Sequence, residues 1–364
     1  MRKIFIAFLL VFSFLTVKAT DTAKVYNDTI SKNESHTKEK FNTTEFIFEH
    51  IGDSFEWHIL TVNHHHISIP LPIILYSKTK GFNIFLSNKF HNPNHEYMGF
   101  KLETEGDYKG KIVEVGEDVN GKRILPLNFS LTKNALTILM VSGLLCWVFI
   151  SIARKYKSKP ESAPTGLQNL FEPIILFIRN EVAIPSIGEK KYIKYMPYLL
   201  TVFFFIWFTN MLGLIPIFPG GANVTGNIAV TLVLALFTFF VVNFNANKHY
   251  WIEFINPPGV PWFLKFPIPI MPLVEITGLI TKPVVLMIRL FANILAGHMV
   301  AIVFMSLIFI FAAVKFWLGY VAAPVTIIFS VFMSLLEILV ALIQAYVFTL
   351  LSAIYIGMAT AEHH

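Results

Sequence analysis

The stretch Leu286-Met287-Ile288-Arg289-Leu290-Phe291-Ala292-Asn293 decides how this chain is read. Apolar sequence surrounds it. From Pro283 to Phe316 the only formal charges are Arg289 and Lys315, and His298 is the one other titratable group. An arginine cannot shed its proton, and at a bilayer centre it costs at least ~2.5–3.5 kcal/mol. A cation in that position is a functional group with an acidic or polar partner.

Composition agrees with a bilayer setting. The chain has 364 residues, 55% hydrophobic and 14% charged, where a soluble domain is nearer half apolar and a quarter charged. The mean hydropathy is +0.61. The net charge of +6 is modest, and no basic stripe with interleaved aromatics offers a surface to nucleic acid. One cysteine, Cys146, lies in an apolar run and excludes an internal disulfide framework.

Outward from Arg289, Pro283–Phe316 and Pro324–Met358 are each ~50 Å long if helical, against a hydrocarbon core of ~30 Å. Steep tilting resolves the mismatch; the alternative is a break in each, giving a span plus a re-entrant half. Three shorter apolar runs precede them, at Leu136–Ile152, Tyr198–Ile217 and Ile228–Phe244. Arg154, Lys155, Lys157 and Lys159 follow the first run and place that end in the cytoplasm. Residues 161–193 carry apolar side chains at helical spacing and predict an amphipathic helix on the membrane surface. The fold class expected is an all-α multi-pass membrane protein. It would have two upright-helix pairs, two long, steeply tilted antiparallel helices, and a small β-rich exported N-terminal domain.

The N-terminus carries an address. Arg2 and Lys3 precede the apolar run Ile4–Leu15 and the small residue Ala19, the pattern of a secretory signal peptide over 1–19. A short uncleaved anchor is the competing reading. Residues 20–133 are polar: flexible to about Thr44, then alternating in short runs divided by Lys80-Gly81, Asn92-Pro93-Asn94 and Asn120-Gly121, as in a β-rich periplasmic domain. His64-His65-His66 on an extended segment point to alternate sides and make a poor metal site. Residues 134–364 form the membrane domain.

Polar groups inside the lipid each need a rationale. Arg289, Asn293 and Ala296 share a helix face, narrowed by Ala292, Ala296 and Gly297, while His298 falls nearly opposite. Glu337 and Gln344 are seven apart, Tyr355 returns to their face, and Ser334 sits one turn earlier, so the last helix carries a polar stripe. Glu275 and Lys282 lie fourteen and seven positions before Arg289 and share its face if the helix reaches back past Pro283. Bland alternatives exist for several: Gln344 and Asn293 as interhelical bridges, Lys282 as a snorkelling lysine neutralised by Glu275, His298 as a packing residue. Glutamate and histidine exchange protons near neutral pH. A fixed cation beside such a path blocks cation leakage and attracts a passing carboxylate, which suits a device that loads and unloads an acidic group on another protein.

Arg289-Leu290-Phe291-Ala292-Asn293-Ile294-Leu295-Ala296-Gly297-His298 closely resembles the arginine motif of subunit a of bacterial F-type ATP synthases. The resemblance extends over about 130–360 through Asn210-Met211-Leu212-Gly213-Leu214-Ile215-Pro216, Asn227-Ile228-Ala229-Val230-Thr231-Leu232, Glu275, and Gln344-Ala345-Tyr346-Val347-Phe348. It implies that Arg289 faces the rotating c-ring and keeps two half-channels from short-circuiting, with Gln344 and Asn293 in support. His298 and Glu337 would line the periplasmic half-channel, and Glu275 the cytoplasmic exit. Asn210, Ser334, Tyr355 and Lys282 would be supporting polar groups. Some bacterial relatives carry this His–Glu pair exchanged between the two positions; the order here is also seen in mitochondrial relatives. The implied partners are the c-ring, the b subunits of the peripheral stalk, the remaining synthase subunits and the bilayer of the bacterial inner membrane.

The implied role is that of a non-catalytic stator channel subunit. No P-loop sequence occurs, and no cofactor or metal is implied. A proton-coupled secondary transporter is the alternative, and would show inverted repeats and a substrate cavity. A structural anchor for the exported domain is another, and would have no need of Arg289 or Glu337. The coupling ion stays open between proton and sodium.

Overall fold

A computed structural model describes residues 52–62, 65–92, 94–103, 108, 110–116, 123–158, 163–215, 220–255 and 270–361. The expected signal peptide, the polar stretch to Thr44 and His64 lie outside these residues.

The segment ahead of the first helix forms three small antiparallel sheets. Strands β1 (Glu56–Val62) and β2 (His65–Pro70) pair alone. Strands β3 (Pro72–Ser77), β4 (Gly81–Leu86) and β8 (Leu127–Asn128) form a sheet in the order β4-β3-β8. Strands β5 (Glu96–Tyr97), β6 (Phe100–Leu102) and β7 (Ile112–Glu114) form the third. Alternation of side chains along β3 sends Ile73 and Leu75 inward. They meet Phe85, Phe90, Phe100 and Ile112 in one core, where Phe85 and Phe90 pack edge to face at 5.4 Å. Gly81, at φ +69°, closes the β3–β4 hairpin at the expected turn, in a conformation that other residues adopt only with strain.

The rest is helical: α1 (Lys133–Ser158), α2 (Leu167–Phe177), α3 (Ile184–Ile187), α4 (Tyr192–Leu214), α5 (Ile228–Phe244), α6 (Lys248–Ile255), α7 (Ile270–Val314) and α8 (Phe316–Thr360). Four of these, α1, α4, α7 and α8, are long and apolar enough to cross a membrane, and α5 is a shorter apolar helix. The chain is a mostly helical multi-pass membrane protein.

Four differences from the sequence reading have physical causes. Only three apolar helices, rather than two pairs, precede the long two among the described residues. The segment expected as one amphipathic helix is broken into α2 and α3 by a π-helical stretch at Ile178–Ala183, where Pro173 and Pro185 each withhold a backbone donor. Its Phe171 is buried, packing on Phe149 at 5.8 Å and Phe204 at 5.6 Å. Thirdly, Pro283 and Pro324 do not end their helices but lie inside α7 and α8; membrane helices tolerate proline because neighbours satisfy the freed carbonyl. Each helix therefore has 45 residues, about 68 Å, and only Lys315 interrupts them. Lastly, Gly297 does not belong to the Arg289 face, as the contacts below show.

Local chemistry fixes the helix ends. Asn227 caps α5 by accepting a hydrogen bond from the Ala229 amide at 3.0 Å. The last carbonyls of α8 accept from Lys191 Nζ at 2.7 Å and Asn247 Nδ2 at 2.9 Å, both at Thr360 O. A Cβ at Gly357 would collide with the Ser186 carbonyl, so glycine lets α8 lie on α3. At the start of α1, Asp53 Oδ1 accepts from the Asn134 amide at 3.1 Å, and the Lys133 amide donates to Ser54 O at 2.9 Å.

Crowding by neighbouring atoms pushes the Asp53 carboxyl above the usual carboxylate range, and the Asn134 amide opposes this. A raised folded value means that the native state holds its proton longer. That stability is fully present below about pH 4 and is lost as pH rises through the folded value. Asp53→Asn keeps an acceptor oxygen without the charge. We expect the thermal midpoint of the detergent-solubilised protein to fall with rising pH across this window in the native chain and to stay flatter in Asp53→Asn; parallel profiles would refute it. Asp53→Ala should cost about 1 kcal/mol below about pH 4 through loss of the cap, and less as pH rises.

Candidate functional site

Helix α7 has two unlike sides. Leu286, Leu290 and Ile294, four apart, are buried, whereas Arg289, Ala292, Asn293, Ala296 and Val300 are exposed. The guanidinium thus stands on an open, narrow face of small residues. Among the described residues it makes no ion pair or hydrogen bond, with Asn293 and Gln344 included. Its charge acts on Tyr355 of α8, and Lys282 Nζ sits 5.7 Å from the Tyr355 ring centroid.

Helix α8 turns its polar stripe inward. Glu337 and Gln344 are buried along with Ala341, Ala345 and Phe348. Contacts between α7 and α8 run in reversed order: Phe304 stacks on Phe329 at 5.6 Å, His298 meets Glu337, and Lys282 meets Tyr355. His298 Nδ1 lies 3.3 Å from Glu337 Oε1, an ion pair when the imidazole is protonated. Glu337 is 7% exposed, so its carboxylate depends on that partner. Gly297 makes room, since a Cβ there would touch Glu337 Cγ at 3.6 Å. Gly297 therefore works with His298 and not with Arg289.

The supporting residues divide. Lys282 and Tyr355 line a small, partly open cavity of about 20 Å³ with Thr238, Asn243 and Tyr250, and Asn243 Oδ1 is buried there without a hydrogen-bond partner among the described residues. Sequence reading passed over Asn243, although an amide near the end of an apolar helix is itself a signal. Asn210 is buried in α4, where its Oδ1 accepts from Thr225 Oγ1. Ser334 is exposed and donates to the Ser330 carbonyl at 2.9 Å, so it does not join the Glu337 stripe. The Glu275 side chain lies outside the described residues, but its backbone belongs to α7, which does reach back past Pro283.

The Gly297 contact is testable. Gly297→Ala leaves an ordinary van der Waals contact. Gly297→Leu places atoms where the Glu337 carboxyl lies, and we expect it to destabilise the protein by about 1–3 kcal/mol, read as a fall in thermal midpoint. Equal midpoints for the two variants would refute the contact.

Residues 135–357 match the family model described as ATP synthase A chain. Residues 46–129 match a domain of unknown function. The ATP synthase subunit a of Chlorobium phaeobacteroides (strain DSM 266) is 44% identical over 259 residues, covering 67% of this chain and 71% of the relative. Those of Chloroherpeton thalassium and Myxococcus xanthus are 42% and 39% identical, covering 65% and 70% of this chain and 68% and 80% of theirs. An open-faced arginine, a histidine–glutamate contact on the opposite side of its helix, and this likeness through the whole helical portion agree: the chain belongs to the ATP synthase subunit a family.

Proposed function

We propose that the chain is the stator channel subunit of a bacterial F-type ATP synthase, carrying protons to and from the carboxylates of a rotating c-ring. The observation that carries the reading is the separation of charges on α7. Arg289 stands on the open face, and His298 meets the buried Glu337 between α7 and α8. A ring carboxylate moving past the open face would meet a cation that cannot give it a proton. Protons would reach the ring through groups that can exchange them: His298 and Glu337 from the periplasm, and Glu275 on the cytoplasmic side. The cavity beside Lys282 and Tyr355 offers room for water on that second route. Asn293 and Gln344 would hold the guanidinium once the ring is seated.

In this reading α7 and α8 cross the bilayer as a steeply tilted antiparallel pair, because helices of 45 residues cannot stand upright in it. Residues 1–19 are a signal peptide, 20–133 a periplasmic domain and 134–364 the membrane domain. The protein resides in the inner membrane with its C-terminus in the cytoplasm. The basic run at the end of α1 supports this orientation. The c-ring, the b subunits and the rest of the synthase are its partners, and nucleotide chemistry belongs to them.

The test is ATP-driven proton pumping in membrane vesicles with assembly verified. Arg289→Ala should abolish pumping in an assembled complex, and Arg289→Lys should not restore it; normal pumping by either would sink the half-channel reading. His298→Ala and Glu337→Ala should each reduce pumping by about 10- to 100-fold. The exchange His298→Glu with Glu337→His should recover much of it, because the pair keeps its composition. A double variant no better than the singles would show that each group works only on its own helix.

A further inference from the structure

The β4-β3-β8 sheet has an apolar outer face as well as an apolar core. Ile73, Leu75 and Phe85 point into the core. On the other side Tyr76, Phe82, Ile84, Leu86, Leu127 and Phe129 are exposed, Phe82 by 62% and Ile84 by 61%. Strand register makes them one surface: Tyr76 pairs with Phe82 on one side and with Leu127 on the other, and Phe129 donates its amide to Ile74 O. An antiparallel sheet with one wet face alternates apolar and polar residues. This sheet departs from that rule along all three strands, and contiguous exposed apolar surface marks a contact with protein or membrane.

The chain path points to the membrane. After Phe129 the Leu131 amide donates to Pro72 O at 3.1 Å, the Lys133 amide to Ser54 O, and the Asn134 amide to Asp53 Oδ1. The sheet is therefore hydrogen-bonded up to the first residues of α1, with no slack between them. Along β3, Tyr76 stands only ~13 Å from Pro72 at ~3.3 Å per residue. The apolar face thus lies close to the point where α1 begins. On α1 the first exposed large apolar residue is Leu139, so the apolar surface resumes ten positions after Phe129. Lys78 at the β3–β4 turn is exposed, and its ammonium group suits lipid phosphates at the rim of such a contact.

We propose that this sheet face is a lipid-contact surface that seats the exported domain in the headgroup layer of the leaflet from which α1 departs. The occupant is phospholipid. The inference rests on α1 spanning the bilayer and is independent of the proton route.

The test uses the assembled complex carrying the full chain, with Cys146→Ser and either Phe82→Cys or Ile84→Cys. A bimane fluorophore is attached, and the complex is placed in phosphatidylcholine–phosphatidylglycerol vesicles. Nitroxide-labelled lipid should quench both positions severalfold more strongly than aqueous iodide does. Strong iodide quenching with little lipid quenching would place the face in water and overturn the proposal. Protection from both quenchers would show a protein cover, from a partner subunit, a second copy or the residues before 52, and would overturn it equally. Proton pumping by the same vesicles reports separately on the channel.

Discussion

A guanidinium that cannot lose its charge, held on the outer face of an apolar helix, constrains the rest of the membrane portion. Lipid would not tolerate it, so that face has to be covered by something other than lipid. Small residues at 292 and 296 keep the face narrow enough for another helix to approach. The same helix must then bury its opposite side firmly, and Leu286, Leu290 and Ile294 do so. Arg289 is presented by a helix that is anchored from behind.

The two titratable groups proposed to exchange protons have the reverse setting. Glu337 is buried and in contact with the half-buried His298, and Gly297 lies against the carboxylate with no side chain larger than hydrogen. Separation by helix face places a permanent charge and an imidazole nine residues apart on α7, the imidazole turned toward Glu337 of α8. Had the guanidinium pointed at Glu337, a buried ion pair would have formed and neither group would have been available to a third.

Much of this was legible in the sequence, and what was not shares a cause. Periodicity within one helix is readable: it put Arg289 with Asn293, set His298 on another face, and aligned Glu337 with Gln344. Partnership between helices is not readable. Nothing in the spacing says that Gly297 meets Glu337, or that Asn210 in α4 receives a hydrogen bond from Thr225. Helix ends failed for a related reason. Pro283 and Pro324 were read as boundaries by rules drawn from water, where a lost backbone bond is costly; packed membrane helices run through them. The start of α1 depends on Asp53, eighty-one residues away in the chain, a separation that no local pattern encodes. The β3–β4 hairpin, by contrast, was visible, because Gly81 and strict alternation are local.

The His298–Glu337 contact does not depend on which helix carries which group. A proton passing between an imidazole and a carboxylate requires that they lie within reach of one another and that both titrate in an accessible range. Neither condition refers to which helix bears which group. The contact is between side chains on facing surfaces, and Gly297 supplies space beside it whichever group projects from α8. What the exchange does alter is the neighbour each group inherits: in this chain the carboxylate rises from the inward stripe that also holds Gln344, and the imidazole from the helix of Arg289.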